Sequence, residues 1–440
     1  MLKRILTLTL SLLTAGTLLA GCGNSSSAGD ASAAADTAAS TAAPADESKP
    51  AETESKAEEP ADGLKAPVAE AAFDPASGIT DNMLTRSVHF EGDTSRLAAK
   101  LRKLSDPNNN EVVNVVFLGD SITQGAGASK STNQYTGLVE KWFDDSFEGI
   151  SMCYNAGIGA TDSYLGVHRA DKDVLAKDPD IIFIEFINDA DNEFYKSTMD
   201  SLIRKCLAYE KMPAVVLVEM TLKGGGNCQN AHSAAAEAYN VPVLSYHDAV
   251  APEVAAGNFS FDAISGDGTH PNDIGHGWVA KIIESFIEKV KSGMDSAPEP
   301  TAFDPSTRSP TGDKFANATI VDAATDNLTV DMGDKFTQQS TPSNFKNGWT
   351  TTDGGTITFE MEFKNLGLLF YKTTDGKTGA VSVDVDGEKK LVNGNFPGGW
   401  GSHASNAEIY SSEETRKHTV TVTVRDGERK KFEILGWLVS

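Results

Sequence analysis

VVNVVFLGDSITQ, residues 112–124, combines an apolar run with a turn and a serine. Residues 112–118 are apolar except for Asn114, which is the pattern of a strand buried on both faces of a parallel sheet. The run stops at Gly119-Asp120-Ser121, where the glycine permits a sharp turn of the backbone. We therefore expect Ser121 at the carboxyl end of a strand, the edge at which open α/β sheets bind their ligands.

Strand and helix patterns alternate around this stretch. The predicted strands are residues 181–187, 214–218 and 241–244, and the predicted helices are residues 197–209, 233–239 and 274–290. This alternation predicts a three-layer α/β domain with a mainly parallel sheet over residues 73–293.

The composition changes after this domain, at a linker predicted over residues 294–304. Residues 305–440 contain short alternating runs separated by Asp-Gly pairs, which are hairpin turn signals. We expect an antiparallel β-sandwich or jelly roll there. Its glycine-rich loop carries Trp400, and two interpretations stay open: the ring plugs the end of the sandwich, or it stacks on a sugar as a substrate-binding residue. Trp349 lies in a similar setting.

The first 22 residues predict a secretory signal, because Lys3 and Arg4 precede an apolar run that ends in Leu19-Ala20-Gly21-Cys22. That ending resembles a bacterial lipobox. The resemblance implies that Cys22 is acylated and anchors the protein to the extracellular face of the cell membrane. Residues 23–72 are rich in small, polar and acidic residues and predict a disordered acidic linker.

The charge of the chain limits its partners. A formal net charge of −24 and a pI near 4.7 disfavour binding to nucleic acid or to anionic lipid head groups. The same charge is compatible with a neutral sugar or ester substrate.

Three cysteines follow Cys22, namely Cys153, Cys206 and Cys228. An odd number cannot all pair within the chain, so their pairing stays open. No two of them have close metal-ligand spacing, and we expect neither a metal nor a cofactor.

Several segments of the first domain fit one reaction. A serine hydroxyl becomes a nucleophile when a base takes its proton and donors stabilise the oxyanion that follows. His270 can be the base for Ser121, and Asp267, three residues earlier, can orient the other ring nitrogen. Asn188, directly after a predicted strand, offers a side-chain NH₂ to the oxyanion. The backbone amides of Ser121 and Ala160 would complete the oxyanion hole.

Taken in order, these segments resemble the SGNH branch of the GDSL hydrolases. The matching segments are Gly119-Asp120-Ser121, NAGIGAT (residues 155–161), Asn188-Asp189, and Asp267-x-x-His270. The resemblance covers roughly residues 90–290. It implies a serine hydrolase with Ser121 as nucleophile, His270 as base and Asp267 as orienter, similar to bacterial carbohydrate esterases that remove acetyl groups. The β-domain looks like the jelly-roll partner that such esterases often carry.

Two positions depart from the family pattern. Ala160 stands where the family usually has glycine, and an alanine can supply its amide there if its φ is negative. Phe186 replaces the glycine two residues before Asn188, and we expect its bulk to shape or cover the acyl pocket as a substrate-binding residue.

The leading hypothesis is a serine esterase acting on O-acetylated carbohydrate, or on another small acyl ester, outside the cell. Alternatives are an acyltransferase using the same acyl-enzyme, an SGNH hydrolase of lipids or other acyl esters, and a non-catalytic carbohydrate-binding surface lipoprotein. Asp267 with His270 could also ligate a metal, but no third ligand is near them in the sequence and Ser121 would have no role.

Overall fold

The structure is a computed structural model that describes residues 66–340, 343–425, 427 and 429–440. Cys22, the predicted signal sequence and most of the predicted acidic linker lie outside the described residues. Within the described ranges, no helix has both the length and the apolar character needed to cross a membrane.

Six strands of the described chain form the first sheet. They are β1 (Val88–Phe90), β2 (Val113–Gly119), β3 (Ser151–Gly157), β4 (Ile181–Glu185), β5 (Ala214–Glu219) and β6 (Val243–Ser245). Their order across the sheet is β1-β6-β5-β4-β2-β3. Neighbouring strands run parallel except β1, which pairs antiparallel with β6. The predicted α/β fold with a mainly parallel sheet is confirmed, and β2 lies between β4 and β3.

Helices cover both faces of this sheet. They are α1 (Asp81–Arg86), α2 (Ser95–Ser105), α3 (Ser121–Gln124), α4 (Tyr135–Ser146), α5 (Ser163–Asp173), α6 (Glu193–Leu207), α7 (Gln229–Glu237), α8 (Tyr246–Ala255) and α9 (Asp273–Gly293). In β2, Val115 and Phe117 join an apolar core with α2, α4 and α9. Val116 and Leu118 join a second core with α5 and α6. Because successive side chains of a strand point to opposite faces, one apolar run contributes to both cores.

Some elements differ from the sequence-based expectation. The strand expected over residues 181–187 ends at Glu185, whose Oε1 accepts a hydrogen bond from the Ile187 amide at 3.0 Å. The helix expected from residue 197 begins at Glu193, because the Asn192 side chain accepts a hydrogen bond from the Tyr195 amide and caps it. The sequence does not predict β3 as a strand, since β3 lies at the sheet edge and is only partly buried.

The carboxy-terminal part of the described chain forms a second sheet of nine strands. They are β7 (Thr319–Val321), β8 (Thr329–Asp331), β9 (Thr337–Ser340), β10 (Asn347–Thr351), β11 (Thr356–Lys372), β12 (Ala380–Val385), β13 (Glu388–Asn393), β14 (His403–Val424) and β15 (Phe432–Val439). Their pairings are antiparallel, which confirms the predicted antiparallel β-domain. Residues 356–372 form the single long strand β11, which is longer than the short runs expected there and pairs with β14 through register shifts.

The β-domain packs against α5. Leu369 of β11 and Leu438 of β15 belong to the same buried apolar cluster as Tyr164 of α5. Near this contact, the Asn406 Nδ2 atom of β14 donates to both carboxylate oxygens of Asp162, at 3.0 Å each. Asp162 is also the N-cap of α5. The two domains are therefore joined at the helix that starts next to the loop carrying Ala160.

Candidate active site

Ser121 is the first residue of α3 and follows strand β2 after one intervening residue. That residue, Asp120, caps the short helix, since its Oδ1 accepts a hydrogen bond from the Ile122 amide at 3.0 Å. The serine therefore lies at the carboxyl edge of the sheet, between the ends of β3 and β4.

Gly119 is needed for close packing and not for the turn itself. Its φ is not in the left-handed region. A Cβ at this position would lie 2.0 Å from Thr123 Oγ1 and 2.6 Å from the carbonyl oxygen of Glu185. The expected reason for the glycine is therefore wrong, because contact with α3 and β4 demands it.

Ser121, His270 and Asp267 form a continuous chain of hydrogen bonds. The Ser121 Oγ lies 2.9 Å from His270 Nε2, and His270 Nδ1 lies 2.6 Å from Asp267 Oδ2. With Nδ1–H held by the carboxylate, the Nε2 lone pair faces the serine hydroxyl. This is the arrangement of nucleophile, base and orienter that activates a serine.

Asp267 is held in its ionised form. Its Oδ1 accepts hydrogen bonds from the amides of Thr269 and His270, at 2.9 and 2.8 Å. Partial burial alone would raise the pKa of Asp267, but bonds from the His270 ring and from these two amides lower it to about 2. A carboxylate that is charged at neutral pH can orient the imidazole and stabilise its protonated form.

Three donors are available for an oxyanion beside Ser121. The loop that carries Ala160 lies next to the serine, since a Cβ on Gly159 would be 3.7 Å from the Ser121 Cβ. In the part of the chain that the structure describes, the amides of Ser121 and Ala160 are bound to no acceptor. Asn188 Nδ2 donates one hydrogen to the Thr161 carbonyl at 3.0 Å, which leaves its second hydrogen for a ligand. These donors suit an oxyanion hole.

Ala160 adopts a φ of 61°. The expectation that alanine needs a negative φ to supply this amide is therefore wrong. The left-handed conformation costs an alanine about 1–2 kcal/mol, whereas glycine adopts it freely. The chain keeps the backbone conformation that suits the family's usual glycine, and the amide stays available at the expense of strain.

Two buried ionisable side chains hold the strand ends behind the site. The Arg169 side chain on α5 donates from Nη2 to the Gly119 carbonyl at 2.8 Å and from Nη1 to the Ala156 carbonyl at 2.7 Å. The Asp120 Oδ2 accepts a hydrogen bond from the Asn188 amide at 3.1 Å. Burial raises the pKa of Asp120 to about 7. These bonds fix the ends of β2 and β3 relative to residues 186–192, the loop between β4 and α6 that carries Asn188 (the Asn188 loop).

Phe186 does not line an acyl pocket, and that prediction is wrong. Its side chain is 2% exposed and belongs to the core beneath α5. A Cβ on Gly166 of α5 would lie 2.6 Å from the Phe186 ring, so helix and ring are in close contact. The bulk of Phe186 is accommodated because α5 presents a glycine to it.

The two tryptophans of the β-domain have opposite environments. Trp349 is 1% exposed and belongs to the core of the second sheet. Trp400 is 74% exposed, and its ring stacks on His403 with the centroids 4.4 Å apart. The interpretation that the ring fills the end of the sandwich is therefore wrong for Trp400, which is open to solvent. Trp349 is the buried tryptophan of the two.

The three described cysteines are free thiols. Burial raises the pKa of each of them, Cys153, Cys206 and Cys228, to about 12. Thiols that stay protonated at neutral pH are poor nucleophiles, so the geometry gives them no part in the reaction.

Among the described residues, Glu219, Cys228 and His232 bring three potential metal-donor atoms within 4.8 Å of one another. Hydrogen bonds already occupy these atoms. The Cys228 thiol donates to the Phe186 carbonyl oxygen at 3.2 Å, and the two His232 ring nitrogens face Glu219 and Asp189. The group lies outside the serine–histidine–aspartate chain.

The structure adds residues that the sequence did not single out. Asp120 and Asp189 lie within the quoted motifs, so their positions beside Ser121 and Asn188 could have indicated that they belong to the site. Arg169 and Asn406 carry no such signal, because each acts through a partner that is distant in the sequence.

Comparisons with known proteins agree with this geometry. Residues 117–278 match the GDSL-like Lipase/Acylhydrolase family. Among proteins with curated descriptions, none matches the sequence.

Two solved structures are similar to most of the chain. One is a two-domain esterase (CEX) active on acetylated mannans, with 30% sequence identity and a TM-score of 0.73. The match covers 81% of this chain and 98% of that one. The other is the same kind of esterase co-crystallized with mannopentaose, with 30% identity, a TM-score of 0.72, and coverage of 81% and 97%. A match of this length extends beyond the α/β domain into the β-domain.

Proposed function

Because this chain belongs to the GDSL-like lipase/acylhydrolase family and is thus a serine ester hydrolase, we propose that it removes acetyl groups from O-acetylated carbohydrate through an acyl-enzyme on Ser121. The chain of hydrogen bonds from Ser121 through His270 to Asp267, at 2.9 and 2.6 Å, is the observation that carries the proposal. The solved relative that is active on acetylated mannans supports the choice of acyl group and of substrate class.

The reaction follows from the positions of these atoms. His270 Nε2 takes the hydroxyl proton while Ser121 Oγ attacks the acetyl carbonyl carbon. The oxyanion that forms accepts hydrogen bonds from the amides of Ser121 and Ala160 and from the Asn188 side chain. As the C–O bond to the sugar breaks, His270 returns the proton to the departing sugar oxygen. Water, deprotonated by His270, then attacks the acetyl-enzyme, releases acetate and restores the serine.

The exposed ring of Trp400 suits a polymeric substrate. Flat aromatic faces stack on sugar rings, and this ring is held by its own stacking on His403. Asn406 bonds Asp162 near the oxyanion loop and lies six residues after Trp400, a stretch that spans at most about 20 Å. We infer that a polymeric glycan whose acetyl group is bound at Ser121 extends to this ring.

The proposal is tested by measuring acetate released from a panel of acetylated glycans and from a small acetyl ester. Ser121→Ala and His270→Ala should lower kcat by several orders of magnitude, and Asp267→Ala should keep more activity. Near-wild-type turnover by Ser121→Ala would remove this serine from the mechanism. Turnover of the small ester without acetate release from any glycan would contradict the carbohydrate substrate.

We also propose that the protein is a lipoprotein anchored by Cys22 at the extracellular face of the membrane. The lipobox-like Leu19-Ala20-Gly21-Cys22 supports this location. The protein should partition with membranes, and Cys22→Ser should release or misprocess it. Mass spectrometry that finds an unmodified mature amino terminus at another residue would contradict the anchor.

A further inference from the structure

His232 lies between two buried carboxylates behind the candidate oxyanion hole. Its Nε2 is 2.9 Å from Asp189 Oδ2, and its Nδ1 is 3.1 Å from Glu219 Oε1. The side chains of His232, Asp189 and Glu219 are 1%, 0% and 3% exposed. The imidazole on α7 therefore joins the end of β5 to the segment that follows β4.

Both ring nitrogens can donate only if the imidazole is protonated. Two buried carboxylates without a cation between them would carry a large desolvation cost, and an imidazolium offsets it. Burial opposes a positive charge on His232, whereas the charge of Glu219 and the hydrogen bond to Asp189 favour it and raise the pKa of this histidine. The geometry and the charges both favour an imidazolium with two N–H donors.

Asp189 connects this ring to both segments of the oxyanion hole. It directly follows Asn188, whose side chain is one of the candidate donors. Its other oxygen, Oδ1, accepts a hydrogen bond from the Ser163 amide at 2.9 Å, at the start of α5. Ser163 follows the loop that carries Ala160, and Asn188 Nδ2 contacts the Thr161 carbonyl in that same loop. One carboxylate thus holds the Asn188 loop and the Ala160 loop together.

We propose that His232 is a positioning residue for the oxyanion hole: by holding Asp189 against Glu219, it fixes the Asn188 side chain relative to the Ala160 amide. The inference rests on the proposed esterase function and assigns to it a residue on a different helix. His232 does not touch the substrate, so its effect reaches the reaction through Asn188.

The test compares His232→Gln with wild type on a small acetyl ester. Glutamine is similar in length but cannot donate toward both carboxylates, so kcat should fall about 10- to 100-fold while KM changes less than about threefold. His168→Gln is the matched control. His168 is also buried in a helix, but among the described residues it bonds the Tyr164 carbonyl and no carboxylate, so kcat of His168→Gln should stay within about twofold of wild type.

A double-mutant cycle separates positioning from a general structural effect. In the Asn188→Ala background, His232→Gln should lower kcat less than about threefold further, since the donor that it positions is gone. An equal loss in both backgrounds would overturn the proposal, as would a folded His232→Gln enzyme with kcat within about twofold of wild type. If His232→Gln does not fold, Glu219→Gln replaces it, and unchanged kcat in that variant has the same meaning.

Proton NMR of histidine-labelled protein gives a readout that does not depend on turnover. At neutral pH both ring nitrogens of His232 should carry protons protected from exchange, with signals that disappear in His232→Gln. A neutral ring, or a stoichiometric metal ion bound in the purified protein, would overturn the positioning role. A wild type with no esterase activity would overturn the proposed function instead, while the NMR result still decides the state of His232.

Discussion

Replacing Asp162 with asparagine should make the stability of the protein less sensitive to pH. Asp162 caps α5 by accepting a hydrogen bond from the Leu165 amide at 2.8 Å, and it accepts from Asn406 of the β-domain. Burial, followed by the nearby charge of Asp189, raises the pKa of Asp162 to about 6 from an ordinary value of 3.8. The folded protein therefore keeps a proton that the unfolded chain has already lost at the same pH.

The sign and size of the effect follow from that difference. Between about pH 4 and pH 6 the folded state binds more protons than the unfolded state, so the free energy of unfolding falls as pH rises through this window. A pKa difference of about 2 changes the free energy of unfolding by about 3 kcal/mol at most, and partial exposure of the Asp162 side chain makes this change smaller. From about pH 4.5 to pH 7 the loss should be about 1–2 kcal/mol.

Asp162→Asn is neutral throughout this range and keeps an oxygen acceptor for the Leu165 amide. The asparagine side chain has one acceptor oxygen fewer, which lowers the free energy of unfolding by about 1 kcal/mol at every pH. Its free energy of unfolding relative to wild type should therefore improve by about 1–2 kcal/mol between about pH 4.5 and pH 7.

Urea unfolding followed by tryptophan fluorescence at the two pH values measures this difference. Asn406→Ala is the complementary variant, and removing this donor should cost more at the higher pH, where Asp162 is charged. A difference between Asp162→Asn and wild type that does not change with pH would refute the reasoning, because Asp162 would then ionise in the folded protein at no cost.

Three further predictions concern the site and the β-domain. Asn188→Ala should lower kcat about 10²- to 10³-fold with little change in KM, and a large rise in KM with kcat intact would make Asn188 a substrate-binding residue instead. Ala160→Gly should raise the free energy of unfolding by up to about 1 kcal/mol without loss of ester turnover, because the relief of left-handed strain outweighs the entropy that glycine adds to the unfolded chain. A lower free energy of unfolding in urea would contradict the strain. Trp400→Ala should weaken activity on acetylated polysaccharide but leave activity on a small acetyl ester and the Tm unchanged, whereas the buried control Trp349→Ala should lower the Tm. Equal loss of activity on both substrates in Trp400→Ala would contradict sugar stacking by this ring.

Much of the site was predictable because its signals are local. Asp267 and His270 are three residues apart, so one turn of chain brings the carboxylate to the ring nitrogen. Ser121 and Asn188 each follow an apolar run, and parallel strands place such positions along one edge. The meeting of Ser121 with His270 spans 149 residues and was expected only because the segments share one chemistry and resemble one family.

The alternation of strands and helices and the separation into a parallel and an antiparallel sheet are predictable from the sequence, because they depend on the local pattern of apolar and turn residues. Which distant groups meet depends on the packing of the folded chain. The direction of the Phe186 ring, the positive φ of Ala160, and the contacts of His232 with Asp189 and of Asn406 with Asp162 depend on how separate elements pack. No spacing rule encodes them, because a buried polar group can be satisfied by any partner that the fold brings within hydrogen-bonding distance.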